Sequence, residues 1–343
     1  MTKSPDLELD AVRRETVTLV DVANAAGVSP STVSYVITGK RPISPRTRRR
    51  VMESIRALGY QRPGDPPARA RSRVGVLAVA MPLHRERNAG TETEFVAGAT
   101  EAARAHHFDL LLLTHDTGSA GLHRVSYSAL ADAAIVMETE PDDPRVPPLL
   151  ASHLPAVLVG GEPAEYPGLS HVGFDHAAAG AACLAHLADL GHRSIAHLGP
   201  RPPVASQTSF RRGFQDAAAR RGVRASSHLC GVSAEEITTS VGKLLATEAP
   251  TGLVVDDEAT LPVVLAALAS RGLRIPGDLS VIAVCSATVA KQQRIPLTAV
   301  VVPGRTLGTL AVERATRLLE VRTTASVEML APQVTIGGST APA

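Results

Sequence analysis

Hydrophobic and polar positions repeat with a helical period in the first sixty residues and change to short apolar runs after residue 73. Between Thr18 and Tyr60 the apolar residues recur every three or four positions in three separate segments. This spacing predicts three short amphipathic helices. The apolar stripes consist of Leu19, Val22, Ala23 and Ala26, then Val33, Val36 and Ile37, then Val51, Ile55 and Leu58.

Each of these helices has its own start signal. Thr18 is placed to cap the first helix, and Asp21 stands three residues later as in a capping box. Ser29-Pro30 and Ser44-Pro45 open the other two, because a serine caps well and proline is tolerated at the first helical position. Glycines mark the stops: Gly27, Gly39 and Gly59.

The connection between the first two helices predicts a DNA-binding unit. Only Gly27-Val28 separates the first helix from the cap of the second, which indicates a helix-turn-helix. In such a unit the second helix enters the major groove with its N-terminus first. Its outward residues here are Pro30, Ser31, Ser34 and Tyr35. A generic three-helix bundle would use the same caps.

Charge favours the DNA-binding interpretation. Four arginines at positions 46, 48, 49 and 50 open the third helix, where the helix dipole disfavours cations and a phosphate backbone would stabilise them. Residues 1–73 carry 14 Lys and Arg against 7 Asp and Glu, although the net charge of the whole chain is only +2. One short basic module on a mildly acidic body is typical of nucleic acid contacted from one end.

Three motifs make residues 17–60 resemble the DNA-binding headpiece of the LacI/GalR family of bacterial repressors. T-L-x-D-V-A-x-x-A-G-V-S-x-x-T-V-S matches from Thr18 to Ser34, S-x-x-T-R-x-x-V matches from Ser44 to Val51, and L-G-Y ends at Tyr60. Tyr35 departs from the family, which usually has arginine after T-V-S, so the operator preference should differ. The resemblance and the surface pattern together nominate as DNA contacts Thr18, Leu19, Ser29, Ser31, Thr32, Ser34, Tyr35, Thr38, Ser44, Thr47, Arg48, Tyr60, Arg69 and Arg71.

Residues 61–73 form a linker by composition, with three prolines, one glycine and four arginines. Family members usually carry here a hinge helix that wedges a leucine into the minor groove. This chain offers Ala68-Arg69-Ala70-Arg71 without a leucine, so a leucine-driven kink is not implied. The arginines could read a narrow minor groove, or the segment could be a solvated basic tether.

From residue 74 the pattern predicts βαβ units. Apolar strands are expected at 74–80, 109–113, 133–137, 156–159, 194–198, 252–255, 280–284 and 298–302, with helices at about 91–107, 176–190, 206–221, 234–247, 258–271 and 304–321. Such alternation predicts parallel sheets covered by helices on both faces. The fold class is therefore a small all-α headpiece plus an α/β core of two doubly wound, Rossmann-like lobes.

The resemblance implies how the core is divided. A disordered tail (1–16), the headpiece (17–60) and the hinge (61–73) would precede a periplasmic-binding-protein-like core (74–343). The first lobe would comprise about 74–173 and 303–325, and the second about 174–302 and 326–343. A ligand is expected in the cleft between the lobes, outside the carboxyl ends of the strands.

The cleft positions of the family carry unusual residues here. Phe210 stands where an arginine commonly grips a ligand, Asp257 follows the strand at 252–255, and Cys285 replaces an aspartate. Glu138 follows the strand at 133–137. For each a structural role is open: Phe210 as core, Asp257 as a helix cap, Cys285 as a small buried hydrophobic residue, and the acidic run from Glu138 to Asp143 as solvated surface.

The sequence contains no nucleotide-binding glycine loop, no nucleophile elbow and no metal-ligand spacing, so neither an enzyme, a cofactor nor a metal is expected. Three scattered cysteines, no apolar run of membrane length and a polar N-terminus favour a cytoplasmic protein. The sequence thus predicts a homodimeric transcriptional regulator, most simply a repressor. It would bind palindromic double-stranded DNA and respond to a small effector, possibly a sugar. A regulator without an effector and, less simply, a solute-binding protein are the alternatives.

Overall fold

The computed structural model describes residues 17–38, 41, 43–58, 60, 73–81, 89–113, 120–152, 154–161, 163–320 and 325–343. The expected tail (1–16), most of the hinge with Arg69 and Arg71, and the predicted stop residues Gly39 and Gly59 lie outside the described residues.

The headpiece consists of three helices, α1 (Leu19–Ala26), α2 (Pro30–Thr38) and α3 (Pro45–Leu58). The capping box of α1 is present, since Asp21 N–H donates to Thr18 Oγ1 at 3.3 Å and Thr18 N–H donates to Asp21 Oδ2 at 2.7 Å. Gly27 ends α1 in the left-handed conformation (φ 60°), which glycine adopts without strain. The predicted apolar stripes meet in one cluster that includes Val22, Val33 and Val51, except for Leu58 at the end of α3, which is 36% exposed and lies outside it.

The first lobe is built on a six-stranded sheet with the order β11-β5-β4-β3-β1-β2, in which every pairing is parallel. Its strands are β1 (Val76–Ala80), β2 (Asp109–Leu113), β3 (Ala133–Met137), β4 (Ala156–Val159), β5 (Ser170–Phe174) and β11 (Val327–Leu330). Its helices are α4 (Ala89–Ala105), α5 (Ala120–Ser128), α6 (Val146–Ser152) and α12 (Gly304–Glu320).

The second lobe repeats this plan with the order β12-β10-β9-β8-β6-β7, where only the β10–β12 pairing is antiparallel. Its strands are β6 (Ser194–Pro200), β7 (Arg224–Cys230), β8 (Gly252–Val255), β9 (Ser280–Cys285), β10 (Thr298–Val301) and β12 (Val334–Thr335). Its helices are α7 (His176–Asp189), α8 (Ala205–Arg221), α9 (Ala234–Glu248), α10 (Leu261–Ala269) and α11 (Ala287–Gln292).

Alternate side chains of each sheet enter different cores. Leu77 and Val79 of β1 join α4 and α12 in one cluster, whereas Ala78 and Ala80 pack with α5 and α6. The cluster on the α4 and α12 face continues into the second lobe, where it includes Phe210 and Val254. The two lobes therefore share one apolar cluster. The packing of helices on both faces of the first sheet confirms the predicted doubly wound architecture.

The second lobe was expected to resume at residue 326 and to include both of the last strands. This expectation is wrong for β11. β11 pairs with β5 in the first sheet, with Val327 opposite His171 and Leu330 opposite Phe174, and only β12 joins the second sheet. The physical reason is the position of α12, which packs on the first lobe and delivers the chain to the nearest open edge of that sheet. The first lobe thus extends to Leu330.

Several elements have no clear signal in the sequence. The short helices α5, α6 and α11 were not expected, and neither were β5 and β7. Ser170–Phe174 and Arg224–Cys230 each contain polar residues that hide the strand pattern, although β5 is fully buried between β4 and β11. The tenth helix begins at Leu261 instead of residue 258, because Thr260 N–H donates to Asp257 Oδ2 in a preceding turn.

Candidate DNA-binding surface and effector cleft

The N-terminus of α2 presents a cluster of hydroxyl groups. Ser29 Oγ lies 2.9 Å from both Ser31 Oγ and Thr32 Oγ1, and Thr32 N–H donates to Ser29 Oγ at 3.2 Å. Ser29 and Ser31 are exposed. These contacts orient the hydroxyls before any DNA arrives, at the end of the helix that would enter the major groove.

Tyr35, one turn further along α2, is half-buried, and its ring lies under the guanidinium of Arg41, whose Cζ is 5.3 Å from the ring centroid. This cation–π contact holds the tyrosine in place and brings a positive charge next to it. Thr38 Oγ1 donates to the Ser34 carbonyl at 2.7 Å, so the Thr38 hydroxyl is engaged within the helix.

The start of α3 supplies further polar groups. Thr47 N–H donates to Ser44 Oγ at 3.2 Å, which is the expected helix cap. Arg46 and Arg49 are exposed. Arg48, however, donates from Nη1 to the carbonyl of Asp142 at 2.6 Å, so in this structure it joins the headpiece to the first lobe. A phosphate contact by Arg48 would require this hydrogen bond to open.

One nominated DNA contact is wrong. Tyr60 is 0% exposed and lies in the apolar cluster of the headpiece, where its backbone N–H donates to the Ile55 carbonyl at 3.2 Å. The aromatic ring is therefore a core residue just beyond α3, and with the headpiece resting on the first lobe it has no exposed surface to offer a base or a phosphate. Thr18 is exposed and Leu19 is half-buried at the start of α1.

A cavity of about 120 Å³ lies between the lobes at the carboxyl ends of the strands. This is where ligands bind in folds of this architecture. It is lined by Thr91, Glu92, Met137, Glu138, Thr139, Glu140, Val159, Gly160, Gly161, Gly173, Phe174, His176, Val204, Ser206, Gln207, Phe210, Asp256, Val284, Cys285, Val302 and Leu307.

Three of the four nominated effector contacts line this cavity: Glu138, Phe210 and Cys285. Phe210 is also 1% exposed and packs against His197, so it serves the core as well. Asp257 does not line the cavity, because its carboxylate accepts from Thr260 N–H. The acidic residue that reaches the cavity after β8 is its predecessor Asp256.

Two glutamates that were not nominated cross the cleft in opposite directions. Glu140 of the first lobe accepts from Ala205 N–H, at the start of α8, at 3.1 Å to each carboxylate oxygen. Glu258 of the second lobe accepts from Gly90 N–H, at the start of α4, at 2.8 Å and from Ser286 N–H at 2.6 Å. Each carboxylate therefore lies at the positive end of a helix of the other lobe, where negative charge is stabilised.

The bridge formed by Glu258 explains why a glycine stands at position 90. A Cβ at Gly90 would overlap Glu258 Oε1 and Ser286 Oγ, so a larger residue there would push the Glu258 carboxylate out of this bridge. Glu140 was visible as part of an acidic run, and Glu258 as an acid closely following a strand. Nothing in their spacing, however, indicates which helix of the other lobe they meet.

Burial and like charge dominate the electrostatics of the cavity. Burial, followed by repulsion from Glu138 and Glu258, raises the pKa of Glu92 to about 7. Burial raises the pKa of the Cys285 thiol to about 12, so this thiol is neutral and offers no ionised ligand group. Asp256 Oδ2 lies 3.2 Å from His197 Nε2, and both side chains are buried.

The segment from Glu138 to Arg145, here called the cleft loop, connects the cavity to the headpiece. Arg145 forms a buried ion pair with Asp143 at 2.7 Å and also donates to the Glu138 carbonyl at 2.9 Å. The Tyr166 hydroxyl accepts from Asp143 N–H at 2.5 Å and donates to the Glu140 carbonyl at 2.9 Å. These contacts make the loop one rigid piece, with Glu140 at one end and the Asp142 carbonyl at the other.

The headpiece rests on the first lobe beside this loop. Ala151 of α6 belongs to the apolar cluster of the headpiece, and Leu150 packs against it. A small hollow between the two bodies is lined on one side by Arg48, Met52 and neighbours and on the other by Asp142 and Tyr166. A movement of the cleft loop therefore reaches α3 directly.

Among the described residues, no helix is both long and apolar enough to span a bilayer. Residues 18–63 match the model for bacterial regulatory proteins of the lacI family, and residues 184–340 match a periplasmic binding protein-like domain.

The chain is 28% identical over 316 residues to catabolite control protein A of Priestia megaterium, a match that covers 90% of this chain and 94% of that protein. Its fold is similar to the transcriptional regulator CelR–cellobiose complex, with a TM-score of 0.71, 23% identity and coverage of 94% of this chain and 99% of the other. It is also similar to the Lac repressor dimer bound to operator and the anti-inducer ONPF, with a TM-score of 0.67, 22% identity and coverage of 95% and 100%. The chain thus joins a lacI-family helix-turn-helix headpiece to a periplasmic-binding-protein-like core, which is the domain combination of the LacI-family DNA-binding transcriptional regulators that it resembles.

Proposed function

We propose that this protein is a homodimeric repressor whose operator affinity changes when a small metabolite binds in the cleft. The observation that carries the proposal is the continuous contact from Glu140 in the cleft, through the cleft loop, to Arg48 on the headpiece. Because Glu140 bonds to the other lobe, a ligand that alters lobe closure would shift the loop and the headpiece together.

The remaining parts of the proposal rest on the size of the headpiece and on the relatives. One short headpiece reads only a half-site. A palindromic operator has two half-sites about one helical turn apart, so two copies of the chain are needed to bind it. The relatives are regulators, and this chain is proposed to have no enzymatic activity and to act in the cytoplasm, where the chromosome is. A CelR structure with cellobiose and a Lac repressor dimer on operator DNA support a sugar-sized effector and a dimer here.

Selection of genomic fragments by the purified protein at about 0.15 M salt, where non-specific phosphate binding is weakened, tests the DNA-binding proposal. We expect a shared palindrome. The Ser31→Ala and Tyr35→Ala variants should each lose about 5- to 100-fold in preference for that palindrome over competitor DNA, because each removes a base-edge contact from the tip of α2. Fluorescence anisotropy with labelled operator measures the preference.

Ser128→Ala is the matched control, since Ser128 is an exposed serine at the end of α5 in the core. It should leave the preference unchanged. Recovered fragments without a common motif, or full preference in both α2 variants, would contradict the proposal that α2 reads sequence.

Removal of the interlobe contact tests the coupling path. Glu140→Ala is expected to change operator affinity by about fivefold or more, because it releases the second lobe from the cleft loop. In a Tyr166→Phe background the same change should have a smaller effect, because the loop no longer moves as one piece. Operator affinities of the two single variants and the double variant form the cycle that measures this coupling.

Glu235→Ala serves as control, because this substitution removes the same negative charge from an exposed residue of α9 in the second lobe. If Glu140→Ala changes operator affinity equally in the parent and in the Tyr166→Phe background, the cleft loop does not carry the coupling between the cleft and the headpiece.

One observation favours a second candidate, a regulator that needs no effector. Glu140 and Glu258 already close the cleft by binding the N-terminal ends of α8 and α4, so no ligand is required to join the lobes. Under this alternative the Glu140→Ala variant still changes operator affinity, but no small molecule raises the unfolding temperature of the protein.

A further inference from the structure

We propose that the effector is a compact organic cation, a small amine or quaternary ammonium compound, whose charged group binds Glu92 in the cleft. The inference rests on the proposed function of the cavity as the effector site and names the chemical class that the site selects.

Glu92 is the residue that points to this class. It lies in the first turn of α4, lines the cavity, and is 8% exposed. Its Oε1 is buried and has no hydrogen-bond donor. A buried carboxylate without a donor is destabilising, and proteins retain such groups where a ligand or a reaction uses them.

The surroundings of Glu92 favour a positive charge. The acidic residues lining the described part of the cavity are Glu92, Glu138, Glu140 and Asp256, and no lysine or arginine lines it there. Glu140 already accepts a hydrogen bond from Ala205 N–H, and Asp256 lies next to the His197 imidazole. Glu92 has no such neighbour among the described contacts, and repulsion from Glu138 and Glu258 adds to the burial that raises its pKa.

The aromatic and apolar lining also suits a cation. Phe174 and Phe210, which are 3% and 1% exposed, line the cavity, and His176 stands edge-on to Phe174 with ring centroids 5.2 Å apart. Aromatic faces bind ammonium groups, most strongly where water is excluded. A sugar phosphate would instead bring a second negative charge to a group of carboxylates, which is unfavourable.

The size of the cavity limits the ligand. An engineered apolar cavity of about 150 Å³ holds benzene, so the 120 Å³ available here limits the ligand to a compact group of about that size, with anything larger requiring the lobes to adjust. A disaccharide would require the lobes to open and break the bridges of Glu140 and Glu258.

Pairs of compounds that share a shape and differ in charge test the proposal. Thermal unfolding and calorimetric titration of the full chain would use choline and its neutral analogue 3,3-dimethylbutan-1-ol, glucosamine and glucose, and glucose 6-phosphate as the anion. We expect at least one cation to raise the unfolding temperature and to bind at least tenfold more tightly than its neutral partner, with no effect of the anion.

Glu92→Gln keeps the shape of the side chain and removes its charge. This variant should lose the preference for the cation, and without any ligand it should unfold at a higher temperature than the parent at pH 8, because an unpaired buried charge is gone. Glu101→Gln is the control, since Glu101 is an exposed acid on the same helix, paired with Arg305 outside the cavity.

Three results would overturn the inference: binding of the neutral or anionic compound as tight as the cation, unchanged cation binding in Glu92→Gln, or no binding by any of the cations. The proposed function is judged separately by operator selection and by the response of operator binding to the neutral sugars. If a neutral sugar shifts operator affinity, the proposal of an effector-responsive repressor is supported and only the proposal of a cationic effector fails.

Discussion

The Gly213→Leu variant is expected to unfold at a temperature about 6 to 12 °C lower than the parent, which corresponds to a loss of about 3 kcal/mol or more from the second lobe. Gly213 lies on α8, where a Cβ would overlap the backbone carbonyl of Ala177 on α7. In the same contact a Cβ at Gly180 on α7 would overlap the carbonyl of Phe210. The two helices can approach this closely only because each has a glycine at the crossing.

Helix propensity alone predicts that this variant is more stable than the parent. Leucine stabilises a helix by about 0.5 to 1 kcal/mol relative to glycine, so a loss of stability would report the steric contact alone. The same contact positions Phe210 and the start of α8 at the cleft, so cleft binding should weaken together with stability.

Gly277→Ala is the matched control, because Gly277 is exposed and a Cβ there would make only ordinary contacts of 3.7 Å or more with Arg274. Its unfolding temperature should stay within about 2 °C of the parent, as for other exposed substitutions. Calorimetry measures both variants. A Gly213→Leu protein as stable as the parent would show that α7 and α8 are further apart than described.

The Val33→Asp variant is expected to lose sequence-specific DNA binding by at least 100-fold while its core stays folded. Val33 is 0% exposed in the apolar cluster of the headpiece, and an unpaired carboxylate there costs about 3 kcal/mol or more. A body of about forty residues has little stability to lose, so the three helices should unfold. The core has its own sheets and apolar clusters and does not depend on Val33.

Val20→Asp is the control for charge, because Val20 is 52% exposed on α1. It adds the same carboxylate to the headpiece and should retain the helical circular dichroism signal. Operator binding is measured by anisotropy and core integrity by the main calorimetric transition. Retained specificity in Val33→Asp would mean that the headpiece core is not what orients α2.

The local structure of the headpiece can be predicted from the sequence. Apolar spacing, the capping pair Thr18 and Asp21, and the stop at Gly27 are interactions between residues a few positions apart, so they can be read from the chain without knowing its fold. The alternation of strands and helices in the core follows from equally local patterns, which is why most of the element bounds in both lobes were predicted within a few residues.

Features that depend on residues distant in the chain follow from the packing of the folded protein. Tyr60 matches a family motif, but it is buried in an apolar cluster that also contains Ala151 of the first lobe, and Val327–Leu330 joins the first sheet, on which α12 packs.

The sequence shows Glu140 and Glu258 as acids that follow strands, but only the packing of the two lobes places them at helix N-termini that are 65 and 168 residues away. Glu92 carries no signal in the sequence at all. Its burial, its missing donor and its acidic neighbours are set by the closure of two lobes, and closure brings together residues that no local pattern relates.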